Sequence, residues 1–314
     1  MTEQLQKLIE EFRRNNGTIQ STAKPVVAPW AAELPEGAVV SDQSSMLVRK
    51  AARTIGLFEE KVFENPGSDL GRMTYYVYDP TKHGFSSEGN YPISVWFHGL
   101  GCGAMGKINI PMTGAGTFAL DQYQQELGGM YIIVPIANEI IEPWCEKYVD
   151  PLSELIAQER TALRTTGKLI LCGTSMGGRM ITHWLEKNLD ITDAVFWMSP
   201  ALLTDSATLR RYSDAGLNMW LLWGARDEVI TSPDMIFPQG IEEYKGIEKL
   251  DLTIFDWVYN GDGSIASSQS YGKEQGQHAT NLQAIRNYIR EDGTPDDPAH
   301  PRGLSGWMMD VIKK

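Results

Sequence analysis

The 314-residue sequence predicts an α/β fold, a mostly parallel sheet of about eight strands with helices on both faces and no large lid. Three observations predict it. From Leu57 onward, short apolar runs alternate with stretches at helical spacing. Most runs are apolar throughout, as strands covered on both faces must be. Only the first two runs are joined by a turn short enough for a hairpin.

The elements follow in order. Residues 61–64 and 73–78 read as strands around the turn-rich NPGSDLG. Residues 91–97 (YPISVWF) form a buried strand followed by a glycine-rich loop, and 130–135 (MYIIVP) the next strand. Tyr148, Leu152, Leu155, Ile156 and Leu163 mark a long helix at the 3.6 period. Residues 168–172 (KLILC) are a short apolar strand, and Met180, Ile181, Trp184 and Leu185 set the helix after it. Strands are expected over 194–198, 219–223 and 250–258, and a last helix carries Leu282, Ile285 and Ile289. Trp96, Trp197, Trp220, Trp223 and Trp257 lie in or beside these strands and are expected in the core.

Residues 1–55 stand apart as an N-terminal extension to a catalytic domain over 56–314. Leu5, Leu8, Ile9 and Phe12 have amphipathic-helix spacing, a Pro- and Ala-rich passage follows, and a second helix is expected near 44–55. The extension is suited to wrapping the core, covering an active site or mediating assembly, and the sequence leaves these open. Its first residues lack the apolar core of a signal peptide, so a cytoplasmic protein is expected; a leader removed beforehand would leave the same sequence. No apolar stretch reaches membrane-spanning length. The net charge of −12 argues against nucleic acid or anionic membranes as partners. Cys102, Cys145 and Cys172 are odd in number and form no Cys-x-x-Cys pair, so neither a disulfide framework nor a zinc site is indicated. No cofactor or metal is expected, and the sequence leaves the oligomeric state open.

The strongest chemical signal is Gly173-Thr174-Ser175-Met176-Gly177-Gly178, directly after the KLILC strand and opening a helix. Gly-x-Ser-x-Gly in that setting is a nucleophile elbow, a turn so sharp that the residues two places either side of the serine must lack bulk. The helix N-terminus beyond it favours developing negative charge. A serine needs a base. Of the five histidines, His278 alone lies after the last strand and before a helix, where a side chain can lean over the strand ends. His83 and His300 sit in turn-like surface segments, His183 within a helix, and His98 at the turn after a strand. The acid should follow a strand between serine and histidine. Asp227, after WLLWG, is the candidate, with Glu228 as fallback and Asp205 third. The expected oxyanion donors are the backbone N–H groups of Met176 and of Leu100, the latter in His98-Gly99-Leu100-Gly101-Cys102-Gly103. That loop lacks the Gly-Lys-Ser/Thr end of a phosphate-binding P-loop. Trp144, at another strand's carboxyl end, is a candidate substrate contact, and Gly261–Ser264 reads as a turn rather than a calcium loop.

Strand-HGLG, strand-GTSMGG-helix, strand-WGARDE and a late histidine together resemble the α/β-hydrolase superfamily over about residues 57–292. Within it, the HG-x-G loop and the GxSMGG elbow resemble the group containing esterase D, feruloyl and acetyl-xylan esterases and polyhydroxybutyrate depolymerase-like enzymes. The resemblance implies a serine carboxylesterase with Ser175, Asp227 and His278 as its triad. It also implies small or aromatic acyl esters, because the 199–217 segment leaves no room for a large cap. A peptidase, thioesterase or acyltransferase would use the same triad. A non-catalytic binding protein with this fold is the alternative of another class.

Overall fold

The computed structural model describes residues 33–68, 70–140, 142–230, 242–270 and 273–314. Eight strands form one sheet: β1 (Glu59–Asn65), β2 (Gly71–Tyr78), β3 (Ile93–Phe97), β4 (Tyr131–Pro135), β5 (Leu169–Thr174), β6 (Ala194–Met198), β7 (Asn218–Gly224) and β8 (Leu250–Phe255). Their order is β1-β2-β4-β3-β5-β6-β7-β8. β2 runs antiparallel to both neighbours, and all later pairings are parallel. Every residue of β3, β4, β5 and β6 is buried, which is why these strands read as unbroken apolar runs.

Two cores sandwich the sheet. Helices α2 (Val149–Ala162), α3 (Met176–Asn188) and α4 (Ser206–Asp214) cover one face, where Leu152, Leu155, Trp184 and Leu209 pack on the strands. Phe118, Leu127 and helix α5 (Gly303–Lys313), through Leu304 and Met308, cover the other. The register of β3 with β5, Ile93 opposite Leu169 through Phe97 opposite Gly173, brings the two strand ends level. The loops after them meet over the carboxyl edge of the sheet, where ligands bind in open α/β folds.

The described part of the N-terminal extension lies across that same edge. Val40–Ser41 pairs in parallel with Ile265–Ala266, and helix α1 (Ser44–Ala51) follows. Gln43 Nε2 donates to Asp262 Oδ2 at 2.6 Å, and Asn260 Nδ2 donates to Ser41 O at 2.8 Å. The helix expected around Leu5 to Phe12 lies outside the described residues.

Two expectations are corrected. The helix assigned to Leu282, Ile285 and Ile289 is only Asn281–Ala284, because Asn287 and Tyr288 take left-handed φ values of 57° and 56°. The final long helix is α5, over residues to which the sequence reading assigned no element. Asn287 connects the two: its side chain accepts from Ser305 N–H (2.8 Å) and donates to Arg302 O (3.1 Å). Trp257, expected in the core, is only partly buried. Its Nε1 donates to Glu33 O, and the Arg226 guanidinium lies 4.3 Å from its ring centre.

Candidate active site

Ser175 links β5 to α3 with φ 53° and ψ −116°. An L-residue holds such a conformation at a cost of about 1–3 kcal/mol, and only where its surroundings over-determine it. Here they do. Ser175 N–H donates to Met198 O at 2.9 Å, and Ser175 O accepts from Gly178, Arg179 and Ala201 N–H at 3.0, 3.3 and 2.8 Å. The glycine requirement is steric. A Cβ on Gly173 would meet Gly177 O at 2.4 Å, and one on Gly177 would meet Phe97 O at 2.2 Å. Met176, as the first residue of α3, presents an N–H that no carbonyl of the helix can reach.

The loop after β3 approaches the same serine: the Cβ position of Gly99 lies 3.5 Å from Ser175 Cβ. His98 holds this loop. Its Nε2 accepts from Ala137 N–H at 3.0 Å, which leaves Nδ1 to carry the proton and donate to Gly99 O at 2.8 Å. Burial pushes its pKa down to about 4, so the ring stays neutral and acts as a brace. Trp144 is a second brace rather than a substrate contact, which corrects that expectation. It is fully buried, donates from Nε1 to His98 O at 2.8 Å, and packs edge-on against Phe97 and Tyr148. A position at a strand's carboxyl end does not fix the direction of a side chain, and this one turns under the loop.

Across the cavity, His278 Nδ1 lies 2.8 Å from Asp227 Oδ2, and both side chains are buried. Asp227 Oδ1 accepts from Val229 and Ile230 N–H at 2.9 and 2.8 Å, so the carboxylate is oriented before it meets the ring. The carboxylate keeps the proton on Nδ1 and leaves Nε2 as the acceptor. Burial is the largest single influence on His278 and lowers its pKa. The charge of Asp227, its hydrogen bond and the charge of Glu228 together outweigh burial, and the pKa rises above 6.5. Ser175 and His278 line one cavity, but no hydrogen bond joins them in the structure. The sequence-predicted chain of contacts is therefore made from Asp227 to His278 and open at the serine; such bonds often close only around substrate.

Glu228, the fallback acid, has another task. Its carboxylate accepts from Gln277 N–H at 3.0 Å and from His278 N–H at 3.0 Å, gripping the backbone that carries the imidazole. Burial pushes its pKa up to about 7. Asp205 caps α4, accepting from Thr208 N–H at 2.9 Å. The other histidines are engaged elsewhere: His83 stacks on Tyr78, His183 is buried in α3, and His300 packs on Trp220 at 3.8 Å between ring centres. Asp262, in the turn considered for calcium, accepts from Ser264 and Gln43.

The cavity above Ser175 holds about 510 Å³. Leu100, Met105, Ile108 and Met112 form one wall, His278 and Leu282 another, and Ser44, Ser45, Val48 and Arg49 of α1 a third. That third wall was not legible in the sequence. A wider groove of about 860 Å³ lies at the amino ends of the strands, lined by polar residues such as Lys168, Asp193 and Asn218. It is remote from the elbow.

No family model and no curated protein sequence matches the chain. Solved structures do. A thermostable esterase superposes with a TM-score of 0.52 at 15% identity, over 74% of this chain, which spans 61% of that one. A ferulic acid esterase gives 0.45 at 15% identity, over 63% of this chain and 90% of that one. Enterochelin esterase from Shigella flexneri gives 0.45 at 13%, over 76% and 58%. The sheet order, the antiparallel β2 and the first of these superpositions make this an α/β-hydrolase fold.

Proposed function

We propose that this chain is a serine carboxylesterase that hydrolyses small or aromatic acyl esters through an acyl-enzyme. The observation that carries it is Ser175, held in a strained turn at a helix N-terminus, sharing a cavity with a His278 already paired to a buried Asp227. Ser175 Oγ attacks the ester carbonyl as its proton passes to His278 Nε2, and Asp227 stabilises the imidazolium. The oxyanion accepts from Met176 N–H and Leu100 N–H. Collapse breaks the C–O bond, and the proton on His278 goes to the departing alcohol. Water, deprotonated by His278, then attacks the acyl carbonyl and releases the acid and free Ser175. The apolar cavity of about 510 Å³ supports a compact substrate over a long-chain glyceride.

A fluorophosphonate probe tests the nucleophile. Wild-type protein should be labelled at Ser175, and an ester panel varied in acyl and alcohol parts should be turned over with preference for short or aromatic acyl groups. Failure to label, or labelling at another serine, would refute the assignment.

A further inference from the structure

The third wall of the cavity supplies a feature the hydrolysis itself does not use. Arg49 sits in the last turn of α1 with its side chain on the cavity and solvent-exposed. Among the described residues it forms no ion pair or side-chain hydrogen bond, whereas its neighbour Lys50 turns away to Glu291 at 3.7 Å. The chain carries 40 acidic residues against 28 lysines and arginines, yet none of the described residues lining this cavity is acidic. Arg49 is the one charged side chain among them, apart from the titratable His278. Beside it are apolar side chains that line the cavity yet stay exposed, Met105, Ile108 and Val229 at 40%, 37% and 38%, together with the uncharged polar Ser45 and Gln269.

A guanidinium with no ion pair among the described residues, on a largely apolar cavity whose described lining holds no carboxylate, suits an anion. Its planar fork matches a carboxylate in two parallel N–H···O bonds. We infer that the preferred substrate is an ester bearing a carboxylate, separated from the scissile bond by an apolar spacer, and that Arg49 binds that carboxylate. The spacer lies on Met105, Ile108 and Val229, and the ester carbonyl reaches Ser175. Arg49 is thus a specificity-determining residue delivered by the N-terminal extension. The lone positive charge favours a monoanion over a phosphate dianion. Its surroundings favour an organic anion over a free inorganic one.

This rests on the esterase reading, and the test separates the two. Two ester series of graded spacer length are needed: p-nitrophenyl hemiesters of dicarboxylic acids, and acetate esters of hydroxy acids. Each member is compared with its neutral isostere, the terminal carboxylate replaced by a carboxamide. For the wild type, the ratio of kcat/KM for carboxylate to carboxamide should exceed one and peak at one spacer length. Arg49→Gln should lower that ratio by about ten- to a hundredfold, chiefly through KM, and Arg49→Lys should restore part of it. A ratio cancels any general loss from misfolding. A wild-type ratio below one at every spacer length in both series, or a ratio unchanged by Arg49→Gln, would overturn the inference while hydrolysis of the carboxamides continues. Absence of hydrolysis of any ester in either series would instead count against the esterase reading.

Discussion

Ser175 and Arg49 face one cavity from supports of very different strength. The floor under Ser175 is the end of β5, paired on both sides with β3 and β6 and buried along its whole length. The roof that carries Arg49 is an eight-residue helix that buries only Leu47 and Ala51. A two-residue strand pairing and a few side-chain hydrogen bonds, such as Gln43 to Asp262, hold it. Stability is not spread evenly through a fold, and segments with few buried apolar contacts open first. On the proposed reading the contrast is a division of labour: chemistry on the support with the most buried contacts, and substrate choice on the one with the fewest.

Four substitutions break or sharpen that contrast. The largest effect belongs to the floor. Ser175→Ala should lower kcat for ester hydrolysis by about a thousandfold or more while Tm stays within a few degrees, read by steady-state kinetics and calorimetry. Retention of more than about a tenth of kcat would remove Ser175 from the chemistry. Asp227→Asn should cost somewhat less, on the order of a thousandfold, because the amide can no longer hold the proton on Nδ1 of His278. A loss of under tenfold would transfer the acid's role to Glu228.

Leu47→Ala addresses the roof. Removing a buried leucine costs about 2 kcal/mol, and in a two-tier molecule that cost falls locally. Amides of α1 should exchange faster while those of β5 keep their protection, and KM should rise more than kcat falls. Equal acceleration in β5 and α1 would show that floor and roof open as one unit.

The smallest effect is electrostatic. His278 must be neutral to accept the serine proton, so kcat/KM should fall as pH drops through a value above 6.5. The charge of Glu228 contributes to that elevation, so Glu228→Gln should move the acid limb to lower pH by a few tenths of a unit. The same variant tests stability. Burial raises the Glu228 pKa from 4.5 to about 7, so the folded state loses stability as pH rises across that interval. The Tm difference, variant minus wild type, should therefore be more positive at pH 8 than at pH 5. A difference of the opposite sign would mean the ionised carboxylate's grip on Gln277 and His278 outweighs its burial.

The floor was legible in the sequence because its constraints are local. Gly173 and Gly177 are forced by contacts within a few residues of Ser175 or with the adjacent strand, and the apolar runs declare burial on both faces. Asp227 could be singled out because it closely follows the end of β7, and His278 because it alone of the histidines lies after the last predicted strand and before a helical run. The roof was not legible because its contacts span the chain: Gln43 meets Asp262, and Ser41 meets Asn260, each 219 residues apart. No periodicity in α1 says which surface it will meet. The late helix was misplaced because Tyr288 carries no sequence signal for a left-handed φ. The role of Glu228 escaped notice because it acts on backbone N–H groups, which every residue but proline offers.

The pairing of Val40–Ser41 with Ile265–Ala266 also sets a timetable. A ribosome delivers the N-terminal strand first and its partner more than two hundred residues later, at about 5–20 residues per second. Once Ser175 has emerged, the growing chain still lacks His278 and the Ile265–Ala266 partner that fixes the segment leading into α1. On the proposed mechanism, the serine gains its base, and the cavity its third wall, only as the last segments emerge.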